Sequence, residues 1–141
     1  VKTKRLESLV IYLLINYPDK SFERLKKLID NNVIKIERNK AIINKLYEEH
    51  EKGNINIENI LDLFEDEITV NYLSGIMSSD FEITDVDKCI EDVLVTYRKE
   101  LLLQRRNEIL GKIDNSNLTK EEVANLEAQL NEVIIQLAKI K

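Results

Sequence analysis

Hydrophobic positions along this chain recur at helical spacing, most regularly in its last quarter. Val123, Leu126, Leu130, Val133, Leu137 and Ile140 follow one another at alternating steps of three and four, which places them on one stripe of a helix. Ile134, Ile135 and Ala138 sit beside that stripe, and a single neighbouring helix covers only part of so broad a surface. The segment therefore either docks on a core or meets a partner. Thr119 and Glu122 form an S/T-x-x-E capping box, so this last helix is expected to run from Thr119 to Lys141.

The same period predicts five shorter helices upstream. The first runs from about Lys4 to Asn16 with Leu6, Leu9, Val10, Leu13 and Leu14 inward. Pro18 and Asp19 end it, because the residue before a proline avoids the helical region. Ser21 is the expected cap of the second, whose face is Phe22, Leu25, Leu28 and Ile29 and whose end is Asn31-Asn32. The third spans about Glu37 to Glu51, with Ala41, Ile42 and Leu46 inward, Ile43 and Tyr47 beside them, and Gly53 as its stop. Ile55 and Ile57 alternate with Asn54 and Asn56, which fits a short strand or an entry loop; on the loop reading Asn56 caps a fourth helix from Ile57 to about Phe64. The fifth runs from Glu67 to Met77 and breaks at Ser78-Ser79-Asp80.

A sixth helix is the long one. Thr84 or Asp85 caps it, and it runs from Val86 to about Ile113, a length of ~42 Å at the usual rise per residue. Ile90, Val93, Leu94, Tyr97 and Leu101 face one core; Gln104-Arg105-Arg106-Asn107 interrupts; Leu102, Leu103, Ile109, Leu110 and Ile113 form a second, rotated set. A helix that faces two environments connects two subdomains. Asp114-Asn115-Ser116-Asn117 is the turn into the last helix, so the chain closes with an αα-hairpin in which Ile109 lies near Leu126 and Leu102 or Leu103 near Leu130 to Ile134. The expected fold is all-α: a compact bundle of about five short helices over residues 1–101, joined by a long connecting helix (about 86–113) to a C-terminal hairpin subdomain over 102–141.

Composition narrows the function. Apolar residues at 43% and charged residues at 33% supply a core and a soluble surface, and neither value fits disorder. Three glycines and one proline are too few for the turns of a β-sandwich. A net charge of −5 and a pI near 5.1 argue against nucleic acid as the direct ligand, since phosphates need a basic face. Arg98, Lys99, Arg105 and Arg106 read as a solvated helix face. No run of about 18 apolar residues is present, so no membrane-spanning helix or membrane partner is expected. Leu9–Ile15 resembles a signal-peptide core, but no small-residue cleavage site follows and Glu7 interrupts its start. The single Cys89 rules out an internal disulfide and a multi-cysteine zinc site, which suits a reducing cytoplasm. The chain opens VKTKR without an initiator Met and is expected to be a piece of a longer protein.

Candidate chemistry is sparse. His50 has only sequential glutamates as neighbours, which splay around a helix, so it reads as a solvated helix end and not a metal ligand. Cys89 reads as a buried inert thiol, with no histidine placed to activate it. Asp85-Val86-Asp87 matches an Mg²⁺-holding acidic pair, but aspartates at a helix start are expected from capping alone. Glu65-Asp66-Glu67 reads as a helix junction. No glycine-rich phosphate loop, GxSxG or HExxH occurs. No catalytic, cofactor-binding or metal residue is therefore assigned.

The layout resembles the C-terminal domain of bacterial DnaG-type primase. KRLESLVIYLLINYPD is similar to that family's opening pattern at Arg5, Glu7, Leu13, Leu14 and Pro18. YEEHEKGNINIENILDLFED resembles its helix, glycine turn and short helix at Tyr47, Gly53, Ile60 and Leu61, and DVDKCIEDVLVTYRKELLLQRRNEI resembles its connecting helix. The resemblance spans essentially the whole chain at the level of pattern. It implies a non-enzymatic module that docks on the N-terminal domain of the hexameric DnaB-type replicative helicase, brings primase to the fork and modulates the helicase. It also implies a parent enzyme that uses zinc and magnesium through domains upstream. The N-terminal bundle domain of the helicase itself, and a helical dimerisation domain, are the alternative readings. The partner-binding residues expected are Leu126, Leu130, Ile134, Ile135, Leu137 and Ala138, with Leu103 and Leu110 opposite. The competing assignment for Leu126 and Leu130 is internal core, whereas Ile135 lies off the main stripe, where a two-helix hairpin has nothing to cover it. The fragment is expected to be monomeric.

Overall fold

The helices that the periodicity predicts are all present, and no strand occurs among the described residues. The computed structural model describes residues 2–115 and 117–140. Val1, Ser116 of the expected turn and Lys141 at the expected end of the last helix lie outside the described residues. In chain order the elements are α1 (Lys2–Asn16), α2 (Pro18–Lys26), α3 (Glu37–Glu51), a 3-10 helix (Ile57–Leu63), α4 (Glu67–Met77), α5 (Val86–Ile113) and α6 (Lys120–Lys139). The chain divides into two compact units, Val1–Leu94 and Val95–Lys141. α5 is one continuous helix that contributes residues to both.

In the first unit α1 is the hub and packs against α2, α3, α4 and the 3-10 helix. Val10, Ile11, Leu13, Leu14 and Ile15 are all buried, so the second half of α1 is apolar around most of its circumference. Removing each such side chain from water is worth about 1.5–3 kcal/mol. Ile42, Ile43 and Leu46 of α3, Leu73 and Ile76 of α4, and Phe22 and Leu25 of α2 complete this core. Ala41, expected inward, is exposed, because the buried face of α3 is centred one position further on, between Ile42 and Ile43.

The same α1 carries a buried charge. Glu7 is fully buried, and its carboxylate accepts hydrogen bonds from Lys35 N at 2.7 Å, Ile36 N at 3.2 Å and Asn39 Nδ2 at 2.9 Å. Ile36 is the N-cap of α3 and has no side-chain oxygen to offer. Glu7 therefore supplies from another helix the acceptor that a local Ser or Asp supplies elsewhere, and its charge sits at the positive end of the α3 dipole. Asn39 is also fully buried and accepts at Oδ1 from the Tyr72 hydroxyl at 2.8 Å, while Arg38 lies 5.3 Å from the Tyr72 ring centre. Glu7, Asn39 and Tyr72 thus tie α1, α3 and α4 together through one satisfied polar chain.

Two local expectations are corrected at the first corner. Pro18 does not sit in a linker but is the first residue of α2, where its missing N–H costs nothing. Ser21 is not a cap; it is buried inside α2 and its hydroxyl donates to Leu13 O at 3.0 Å. Only Tyr17 separates α1 from α2. α2 ends at Lys26, before the expected Asn31-Asn32. The strand alternative at Ile55 and Ile57 gives way to a loop and a 3-10 turn, capped by Asn56 Oδ1 accepting from Glu58 N at 3.0 Å.

Other boundaries follow from local chemistry. Gly53 has φ +75°, a left-handed conformation that ends α3. Asp66 caps α4 by accepting from Ile68 N and Thr69 N. Asp85, not Thr84, caps α5 by accepting from Lys88 N at 3.1 Å. Lys20 and Arg24 of α2 reach Asp87 at 3.5 and 3.4 Å, and Arg24 reaches Glu91 at 2.6 Å, pairs that are exposed and so contribute little each. Phe81 lies 5.0 Å from the Tyr12 ring and 5.3 Å from the Arg5 guanidinium, which anchors the loop before α5 on α1.

Replacing Glu7 by Ala should lower unfolding free energy by about 2–4 kcal/mol, because two backbone N–H groups and the Asn39 amide lose a buried charged acceptor; urea denaturation measures it, and a loss below 1 kcal/mol would show that water replaces the carboxylate at no cost. Gly53→Ala should cost about 1 kcal/mol from backbone conformation alone, since a Cβ there meets nothing within 4 Å. Glu49 is held below the usual carboxylate range by the Asn54 amide and by Lys52, against the opposing effect of burial, with Lys45 adding a smaller pull. Its folded pKa is thus the lower one, so its contribution is present above the unfolded value and lost as pH falls through the folded value. Glu49→Gln should flatten the acid limb of the stability curve, measured by urea midpoints from neutral pH downward.

Candidate interaction surface

Local sequence starts α6 as expected. The Thr119 hydroxyl accepts from Glu122 N at 3.1 Å, and the Glu122 carboxylate accepts from Thr119 N at 3.2 Å, so both halves of the capping box are formed. Within the second unit, Leu101, Leu102 and Arg105 of α5 line one groove with Gln129, Glu132, Val133 and Gln136 of α6. Lys112 and Asn115 line another with Leu118, Glu122, Asn125 and Leu126. Early α5 positions thus face late α6 positions, the order of an antiparallel hairpin. Ile109 and Val133 are its buried centre, at 4% and 3% exposure.

The expected partner-binding residues divide into two groups. Leu103, Leu126, Leu130 and Leu137 are half-buried. Leu110, Ile134, Ile135 and Ala138 are exposed, with Ile135 at 55% and Ile134 at 48%. Helical geometry explains the division. Ile135 is two residues beyond Val133, a rotation of about 200°, so burying one puts the other on the outside. Leu110 follows buried Ile109 by one residue, and the hairpin register puts it level with about Leu126, between two and three turns from Ile135. The eight residues therefore do not form one patch. Ile134, Ile135 and Ala138 share one part of α6, and Leu110 stands apart.

The structure also shows apolar exposure that sequence patterning did not single out. Ile57 is 47% and Ile68 61% exposed in the first unit. Ile68 belongs to a stretch, residues 68–79, without a charged side chain, and that local feature was the available signal.

His50, expected as a solvated helix end, is stacked on Phe22, with ring centres 4.0 Å apart and planes 4° from parallel. Phe22 meets Tyr47 edge-on at 6.0 Å, and the Tyr47 hydroxyl donates to Ile29 O at 2.9 Å. Burial pushes the Tyr47 phenol well above its usual range, and Asp30 adds to this. Cys89 is half-buried; desolvation raises its thiol, with Asp92 adding to it, so the thiolate is disfavoured. Among the described residues no group of three or more His, Cys, Asp or Glu side chains is placed to hold a metal ion. No described helix is long and apolar enough to cross a membrane.

No protein-family model matches the chain, and no solved structure matches it. One curated relative is the ATP synthase subunit delta, sodium ion specific, of Ilyobacter tartaricus. It is 28% identical over 141 residues, covering 99% of this chain and 76% of the relative. This likeness overturns the function expected from sequence, a primase module that recruits primase to the fork by docking on the replicative helicase. The relative is a subunit of an ATP synthase, which fits neither DNA replication as the setting nor the helicase as partner, nor the alternatives of a helicase N-terminal domain or a dimerisation domain. The physical reason for the discrepancy is that apolar steps of three and four, caps and glycine stops describe any amphipathic helix, and so such a layout identifies no function.

Thr119→Ala should cost about 1 kcal/mol, concentrated at the start of α6. Hydrogen exchange of the first turn of α6 measures it; unchanged protection there would show that α6 is held by packing alone.

Proposed function

We propose that this chain is a non-catalytic helical docking subunit, or part of one, of an ATP synthase, and that it engages another subunit of that assembly through its C-terminal hairpin. The likeness to the delta subunit along nearly the whole chain is the observation that carries the reading. The hairpin is assigned the contact because α6 exposes Ile134 and Ile135 side by side, a cost that a partner surface removes. On this reading the chain works inside the cell at the membrane complex without itself inserting, and the chemistry belongs to other subunits. The sodium specificity in the relative's name is not carried over. The resemblance to the primase C-terminal domain is kept as a proposal about architecture only.

The test is co-elution of the purified chain with the ATP synthase of its own organism on size exclusion, with the N-terminal domain of that organism's replicative helicase run in parallel. Co-elution with the synthase supports the reading; no co-elution, or a complex with the helicase domain instead, overturns it. Ile135→Asp should leave helicity and melting unchanged and weaken docking by more than ~1.5 kcal/mol, the scale of an interface anchor. A collapse of melting would instead place Ile135 in the core.

A further inference from the structure

We draw no further inference here: the strongest candidate, the surface of the 3-10 helix and the first turn of α4, where Ile57 and Ile68 are exposed in a stretch that also carries exposed Glu58, Asp62, Glu65 and Glu67, carries nothing because Arg38 lies against Tyr72 of the same α4, so charge selects no partner, and nothing in the structure shows what covers it.

Discussion

A carboxylate buried without partners would cost far more than a helix of this size gains, so the first unit is built around satisfying Glu7. The solution is geometric. α1 must place Glu7 against the first turn of α3, where orphan N–H groups point outward, and Asn39 must turn inward to meet it. Tyr72 then fixes α4 on the far side of Asn39. Hydrophobic burial around α1 provides the driving force, but apolar packing alone tolerates sliding and rotation. The three donors to Glu7 do not, which is how one polar contact sets the relative placement of helices whose cores are otherwise interchangeable Ile and Leu.

The second unit obeys a different constraint. Two helices cannot bury an apolar set that extends more than halfway round one of them. α6 resolves this by giving Val133 to the seam with α5 and leaving Ile135 outside. Its outward side carries Ala124, Ala128 and Ala138 among four glutamates, with Lys120 and Lys139 at its two ends. The unit is thus capped and paired along one side and exposed along the other.

How much of this was legible depended on distance in sequence. α3, α4 and α5 begin and end where the pattern put them, because Gly53, Ser78 and Asp85 act within a few residues of themselves. The exposure of Ile135 followed from its position off the stripe. Ser21, by contrast, looked like a cap because a buried serine and a capping serine have the same neighbours; only the Leu13 carbonyl distinguishes them. Glu7 appeared as a charge interrupting an apolar run, since its donors lie 28 to 32 residues further along the chain. His50 looked solvated because Phe22, whose ring covers it, is on another helix. Leu126 and Leu130, equally suited to core and interface by pattern, proved half-buried. Function was the least legible, since a layout of amphipathic helices encodes packing and not the identity of what they pack against.

The one-residue joint at Tyr17 also bears on how the chain assembles. The Ser21 hydroxyl closes on Leu13 O over eight residues, whereas Glu7 reaches Lys35 N across 28 and Asn39 across 32. Loop-closure entropy makes the longer closures costlier by about 1 kcal/mol before any contact repays it. The α1–α2 corner is therefore the inexpensive local event and the Glu7 contact the committing one, so the step that gives the bundle its specificity is also the step that the chain reaches by its longer search.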